Sequence, residues 1–281
     1  MRDWKRLEKP AALFLLALAL GFALWHLEFL DGRRWSRALG NLGPFMGSFL
    51  PPDFSTAGEL GTALLETLEM AFVGTLIGFL ISLPLAVLGA RNLFPVWVTA
   101  PVRLLLSVVR TVPSLVWALI FVVMVGLGPL AGTLGLALYT VGYLGKLYYE
   151  AFEGVDREVL EAVRATGASR WQRIRWAVFP EAMNPLMSQA LFMLEYNVRA
   201  SAILGFVGAG GIGFYMLGYV QLLQFHRLTA AILLTLVLVL ALDLLSALLR
   251  RRYLGDAPGA GPGGTFILWK KPLVLVSYRE P

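Results

Sequence analysis

Apolar residues in this chain come in long blocks, separated by short stretches where arginine, glycine and proline collect. Blocks of about 20 apolar residues predict helices that cross a hydrocarbon core of ~30 Å. The first block, residues 11–30, follows Arg2, Lys5, Arg6 and Lys9. No small-x-small cleavage signature follows it, so it reads as a retained anchor. Residues 31–61 are polar and broken by Gly43-Pro44 and Pro51-Pro52, which predicts an outside loop with an interfacial turn around residues 45–50. A second span covers residues 62–89, with Glu66 and Glu69 at its outer end. Residues 94–130 are too long for one straight span, since Arg103 and Arg110 interrupt the first half and Thr111-Val112-Pro113 marks a kink. An amphipathic inner approach should therefore precede a third span at residues 109–126. Further spans are expected at residues 133–149, 185–204 and 228–249, giving an all-α membrane protein with about six transmembrane helices.

Composition agrees. Of 281 residues, 58% are hydrophobic and 15% charged, and the mean hydropathy is +0.70. A soluble domain carries about 25% charged residues. The net charge of +6 does not point to nucleic acid, because the basic residues border the apolar blocks. With both termini inside, 18 of the 24 Lys and Arg residues fall on inner segments and four on outer ones, as a multi-pass protein of a cytoplasmic membrane should show. The absence of cysteine removes disulfides, thiolate nucleophiles and Cys-ligated metals. His26 and His226 lie beside apolar segments far apart in sequence and read as interfacial residues rather than a metal pair. No cofactor and no metal is expected. The expected organisation is an anchor and outer loop at 1–60, a core at 61–252 and a Gly/Pro-rich flexible tail at 253–281.

The most structured polar stretch lies within residues 156–180. Asp156 can cap a short helix with Glu158 in its first turn, and Gly167 can supply a left-handed stop. Ser169 and Gln172 form a capping-box pair that should start a second helix ending at Pro180. Two short helices meeting at a glycine make an elbow suited to docking on another protein.

Glu161-Ala162, Gly167 six residues after Glu161 and Pro180 thirteen after Gly167 resemble the cytoplasmic EAA loop of bacterial ABC importer permeases. Val163, Ala177 and Phe179 depart mildly from that pattern. The resemblance implies that Glu161, Ala162, Gly167 and Pro180 couple the chain to an ATPase subunit. An ordinary basic loop would not require this Glu-Gly-Pro spacing.

The deepest polar stretch is LEYNVRASAIL, residues 194–204. Charges inside a membrane are costly and usually face a bundle interior or water. Glu195 and Arg199, four apart on one helix face, are expected to pair, and Asn197 to bond a neighbouring helix. Arg199 either serves only in that pair or lines a path for an anion; Arg110, beside Pro113, reads as snorkelling to the inner face or as part of the same path. The glycine run VGAGGIG, with Gly208, Gly210, Gly211 and Gly213, does not follow a strand, so it is read as a helix break or gate rather than a phosphate loop. Gly145-Lys146 fails as a Walker loop, because Thr140 and Leu147 stand at the required glycine and Ser/Thr positions. The chain is thus expected to be no enzyme, with hydrolysis supplied by a partner.

VRATGAS, EYNVRASAILGFVGAGGIGF, RTVPSLVWALIFV and VGLGPLAG extend the resemblance to the permeases of phosphonate-type importers, with methionine-importer permeases as more distant relatives. It runs over residues 60–252 and implies a type I permease fold. It also implies a homodimer with two ABC ATPase subunits, an extracytoplasmic substrate-binding protein and a phosphorus oxyanion substrate: phosphonate, phosphate, phosphite or an organophosphate ester. The alternatives are an ion-coupled secondary transporter of small anions and an ABC permease for an amino acid such as methionine. An intramembrane enzyme would need a nucleophile, base or metal cluster that the sequence does not offer.

Overall fold

A computed structural model describes residues 4–254 of the chain. These residues form eleven α-helices and, among the described residues, no strand: α1 (Trp4–His26), α2 (Gly32–Gly47), α3 (Ala57–Gly89), α4 (Val96–Thr111), α5 (Ser114–Val125), α6 (Pro129–Glu153), α7 (Arg157–Ala165), α8 (Arg170–Arg173), α9 (Phe179–Leu204), α10 (Ile212–Gln221) and α11 (Phe225–Leu249). The expected flexible tail lies, from residue 255 on, outside the described residues.

The chain divides into two compact units between Asp53 and Phe54. In the first, residues 32–47 of the expected loop at 31–61 are helical, against what their glycines and prolines predicted. Asp31 caps α2 by accepting from the Arg33 amide at 2.9 Å, and α2 runs for 16 residues. Trp35, Leu39, Leu42, Phe45 and Met46 recur at helical spacing on an exposed apolar face. That 3.6-residue period outweighs the helix-weakening Gly40, Gly43 and Pro44. Trp35 also donates its indole N–H to the Phe29 carbonyl at 2.8 Å, fixing the turn between α1 and α2.

The second unit is built around α3 and α6. α3 has 33 residues, about 50 Å at 1.5 Å per residue. Its Gly74 and Gly78 face Leu136 and Thr140 of α6, where any β-carbon would collide. On α6, Gly135 meets the Ala118 backbone of α5, and Gly142 meets the Arg110 backbone of α4. Small residues at these crossings let helix backbones approach closely, which is how membrane helices gain packing contact when water supplies no drive. Asn197 then ties three helices: its Nδ2 donates to the hydroxyls of Thr75 on α3 at 2.8 Å and Thr140 on α6 at 2.9 Å. The bond to a neighbouring helix expected of Asn197 is present twice.

Three described stretches are long and apolar enough to cross a membrane: Ala57–Gly89, Arg170–Val207 and Phe225–Arg252; α4 and α5, bent by 87° at their break, make up to four. α6 has the length, at 25 residues, but its apolarity is diluted by the glycines, threonines and tyrosines that pack it into the bundle. The third span does not begin at residue 109 as expected. α4 continues to Thr111 and the break falls at residues 112–113, leaving α5 only 12 residues. Pro113 has no N–H to bond the Val109 carbonyl, so the helix must open there. The indole N–H of Trp117 fills the vacancy, donating to Val109 O at 3.0 Å.

Candidate functional site

Two features stand out in the second unit: the elbow between α6 and α9, and a polar cavity among α4, α5, α6 and α9. In the elbow, the Asp156 carboxylate accepts from the Glu158 amide at 3.0 Å and starts α7. Gly167 has φ +79°, the left-handed conformation its position predicted. Ser169 and Gln172 form the full capping box, with the Ser169 amide donating to Gln172 Oε1 at 2.7 Å. No residue of α7 is buried, so Glu161 and Ala162 project freely.

Pro180 corrects the reading. It does not end the second elbow helix. A π-helical turn, Ile174–Val178, joins α8 to α9, and the helix runs unbroken from Arg170 to Val207. The wider π turn relieves the contact between the proline ring and the carbonyl four residues back, which an α-helix would enforce. Ile174 and Val178 of this turn are buried against Leu144, Tyr148 and Phe152 of α6 and Leu186 of α9. The elbow is thereby continuous with a core-packed span. The same end of the bundle is clamped by Arg103, which pairs with Glu153, donates from Nε to the Gly89 carbonyl at 2.7 Å and lies 4.2 Å from the Tyr149 ring.

The cavity, of about 520 Å³, is lined by Arg110, Thr111 and Ser114 at the α4–α5 break, by Tyr139 of α6, and by Tyr196 and Arg199 of α9. Tyr139 and Tyr196 stack with ring centres 5.6 Å apart. Of the sequence-expected path residues, Arg110 and Arg199 are brought together here, whereas Glu195 and Asn197 do not line it.

The expected Glu195–Arg199 pair does not form. Glu195, with its side chain 9% exposed, accepts from Arg250 at 2.7 Å, while Arg199 reaches Asp243 at 3.4 Å. Residues four apart on α9 are close enough to pair, but α11 and the turn just past its end bring an opposite charge to each. Asp243 of α11 and Arg250, the first residue of the π-helical turn Arg250–Leu254 that follows it, are seven apart, so an inter-helix ladder replaces the intra-helix pair. Sequence reasoning missed Asp243 and Arg250 as partners; their helical spacing was the available signal. Arg110 has no carboxylate within ion-pair distance among the described residues. The cavity therefore holds one unpaired guanidinium and one loosely paired one.

The glycine run closes the opposite end of α9. A 3-10 turn, Gly205–Val207, leads into Gly208 at φ +84° and Gly210 at φ +81°. The run is tightly held: the Gly208 carbonyl accepts from the Gly128 amide at 2.9 Å, and the Ile212 amide donates to Thr67 Oγ1 at 2.9 Å. A β-carbon at Gly210 would lie 2.5 Å from Glu66 Oε1, and one at Gly213 would strike the Ala202 carbonyl. The helix break is real and serves close backbone approach.

The sequence pattern of the family described as "Binding-protein-dependent transport system inner membrane component" matches residues 59–255. The chain belongs to that family. This permease is 38% identical over 251 residues to the phosphite transport system permease protein of Stutzerimonas stutzeri, covering 89% of this chain and 90% of that one. It is 39% identical over 217 residues to the phosphate-import permease protein of Mycolicibacterium smegmatis, covering 74% of this chain and 40% of that protein. Among solved structures, it is similar to the inward-facing MetNI methionine ABC transporter, with a TM-score of 0.63 and 27% identity over 71% of this chain and 98% of that one. An alginate ABC transporter shares the fold, at TM-score 0.58 and 18% identity, over 90% of this chain and 99% of that one. The expected all-α permease fold of the type I importers is the fold this chain has.

Proposed function

We propose that this permease subunit carries a small phosphorus oxyanion, such as phosphite, phosphonate or phosphate, into the cytoplasm. A partner ATPase docked on the elbow through Glu161 and Ala162 hydrolyses the ATP, and an extracytoplasmic binding protein delivers the substrate. Both termini lie in the cytoplasm, and a second copy faces the cavity. The observation that carries this reading is the cavity holding Arg110 and Arg199. A guanidinium offers paired N–H donors that match two oxygens of a tetrahedral oxyanion. Ser114, Tyr139 and Tyr196 add hydroxyls that can donate to the remaining oxygens. In the single chain the Arg199 and Asp243 side chains are 44% and 40% exposed. Ionisable groups at membrane depth face protein or water rather than lipid, which supports a partner copy or an aqueous path on this side. The relatives named for phosphite and phosphate support the substrate class.

The elbow supplies the drive. Force on α7 passes Gly167 into α8 and through the buried π turn to α9, which carries Arg199. The test is reconstitution in proteoliposomes with the cognate ATPase and binding protein. Labelled phosphite should accumulate only with ATP, and excess phosphonate or phosphate, but not methionine, should compete. Uptake driven by an ion gradient without ATP, or uptake of methionine without phosphite, would overturn the proposal.

A further inference from the structure

On the elbow side of the second unit, the end of α3 and the α8–π segment enclose a second cavity, of about 590 Å³. Leu83, Pro84, Val87 and Leu88 line it from α3, and Ile174 and Phe179 from the other side. Trp171 and Arg175 complete the lining, and Arg175 is its one charged residue. Trp171 and Trp176 are 67% and 66% exposed, on the segment that passes from the elbow into a membrane-crossing helix. Exposed tryptophans at such a place mark the boundary between hydrocarbon and headgroups.

The charge here is one-sided. Arg164, Arg170, Arg173 and Arg175 lie between Glu161 and Glu181 with no acidic residue among them. Among the described residues, Arg170 and Arg175 have no carboxylate partner: Arg170 lies 4.8 Å from the Phe94 ring and Arg175 5.3 Å from the Trp176 ring. An apolar slot beside unpaired guanidinium groups, at headgroup level, suits a ligand with a hydrocarbon chain and an anionic head. Peptide side chains from a docked protein would fill the slot but would leave the arginines needing acids. A phospholipid satisfies both at once, and guanidinium binds phosphate oxygens in pairs.

We infer that the slot between α3 and the π turn binds an anionic phospholipid of the adjacent leaflet, with an acyl chain against Leu83, Val87 and Ile174 and the phosphate on Arg175, aided by Arg170. A lipid there braces α3 against the turn that joins the elbow to α9, so it sits at the joint that coupling must use.

The test is native mass spectrometry of the full chain in mild detergent, after supply of phosphatidylglycerol or phosphatidylcholine. Phosphatidylglycerol should stay bound and phosphatidylcholine should not. Retention should fall on the order of tenfold in the double variant Arg170→Ala with Arg175→Ala. Leu88→Trp, which fills the slot, should lower it as well. On the unaltered protein, phosphatidylglycerol bearing a photoreactive acyl chain should label residues 83–88 and 171–179 above the other lipid-facing helices. Equal retention of the two lipids, undiminished retention in the variants, or even labelling over all helices would each overturn the inference. So would crosslinking of position 171 to the ATPase in place of lipid.

Discussion

At the residue scale, Glu195 and Arg199 of α9 each take an opposite charge from a distant part of the chain. Glu195 and Arg199 look like an i,i+4 pair, and nothing local argues otherwise. Their actual partners, Arg250 and Asp243, are 55 and 44 residues away. Such pairings depend on the rotation and register of α11 against α9, which no local signal carries. Asn197 was legible because a buried amide inside a span must find a partner on another helix; which partners, Thr75 and Thr140, was not. The ladder gives a direct prediction. In a double-mutant cycle read by thermal unfolding in detergent, Glu195→Gln and Arg250→Gln should couple by about 1–3 kcal/mol, as contacting charges do. Glu195→Gln and Arg199→Gln should add within roughly 0.5 kcal/mol. Strong coupling within the second pair would restore the intra-helix reading and remove Arg199 from the cavity.

At the element scale, local chemistry is legible in the sequence and strain relief is not. Asp156, Gly167, Ser169 and Gln172 act on neighbours within four residues, so the elbow could be written down from sequence. Pro180 misled because its cost falls on the preceding turn, and Ile174–Val178 absorbs it as a π turn. α2 misled for a similar reason: glycine and proline signal a loop, yet the apolar period prevailed. For the elbow, the expectation is sharp. A β-carbon at Gly167 meets nothing within 4 Å, so substitution there costs only the left-handed backbone, about 1–2 kcal/mol. Gly167→Val should therefore reorient α8 while leaving the spans and their insertion intact. Co-purification of the ATPase should drop severalfold and uptake should fail. Full ATPase retention with full uptake would reduce the elbow to an ordinary loop.

At the scale of the whole molecule, the asymmetry of basic residues implies a single orientation. In this cysteine-free chain, single cysteines at Leu127 and Leu222, both exposed on the glycine-run side, should react with an impermeant thiol reagent from outside intact cells. Cysteines at Glu161 and Ser169 should react only after permeabilisation. Outside labelling at Ser169 would place the elbow beyond reach of an ATPase. The cavity itself is a property of the whole fold. It draws Arg110 from a helix break, Tyr139 from the central α6 and Arg199 from α9, so sequence could nominate its two arginines but not bring them together. Whether substrate passes through it is decided by ATP-driven phosphite uptake in proteoliposomes carrying Arg110→Gln together with Arg199→Gln. Uptake should be lost while ATPase and binding-protein association persist; uptake at the unaltered rate in that double variant would show that substrate takes another route.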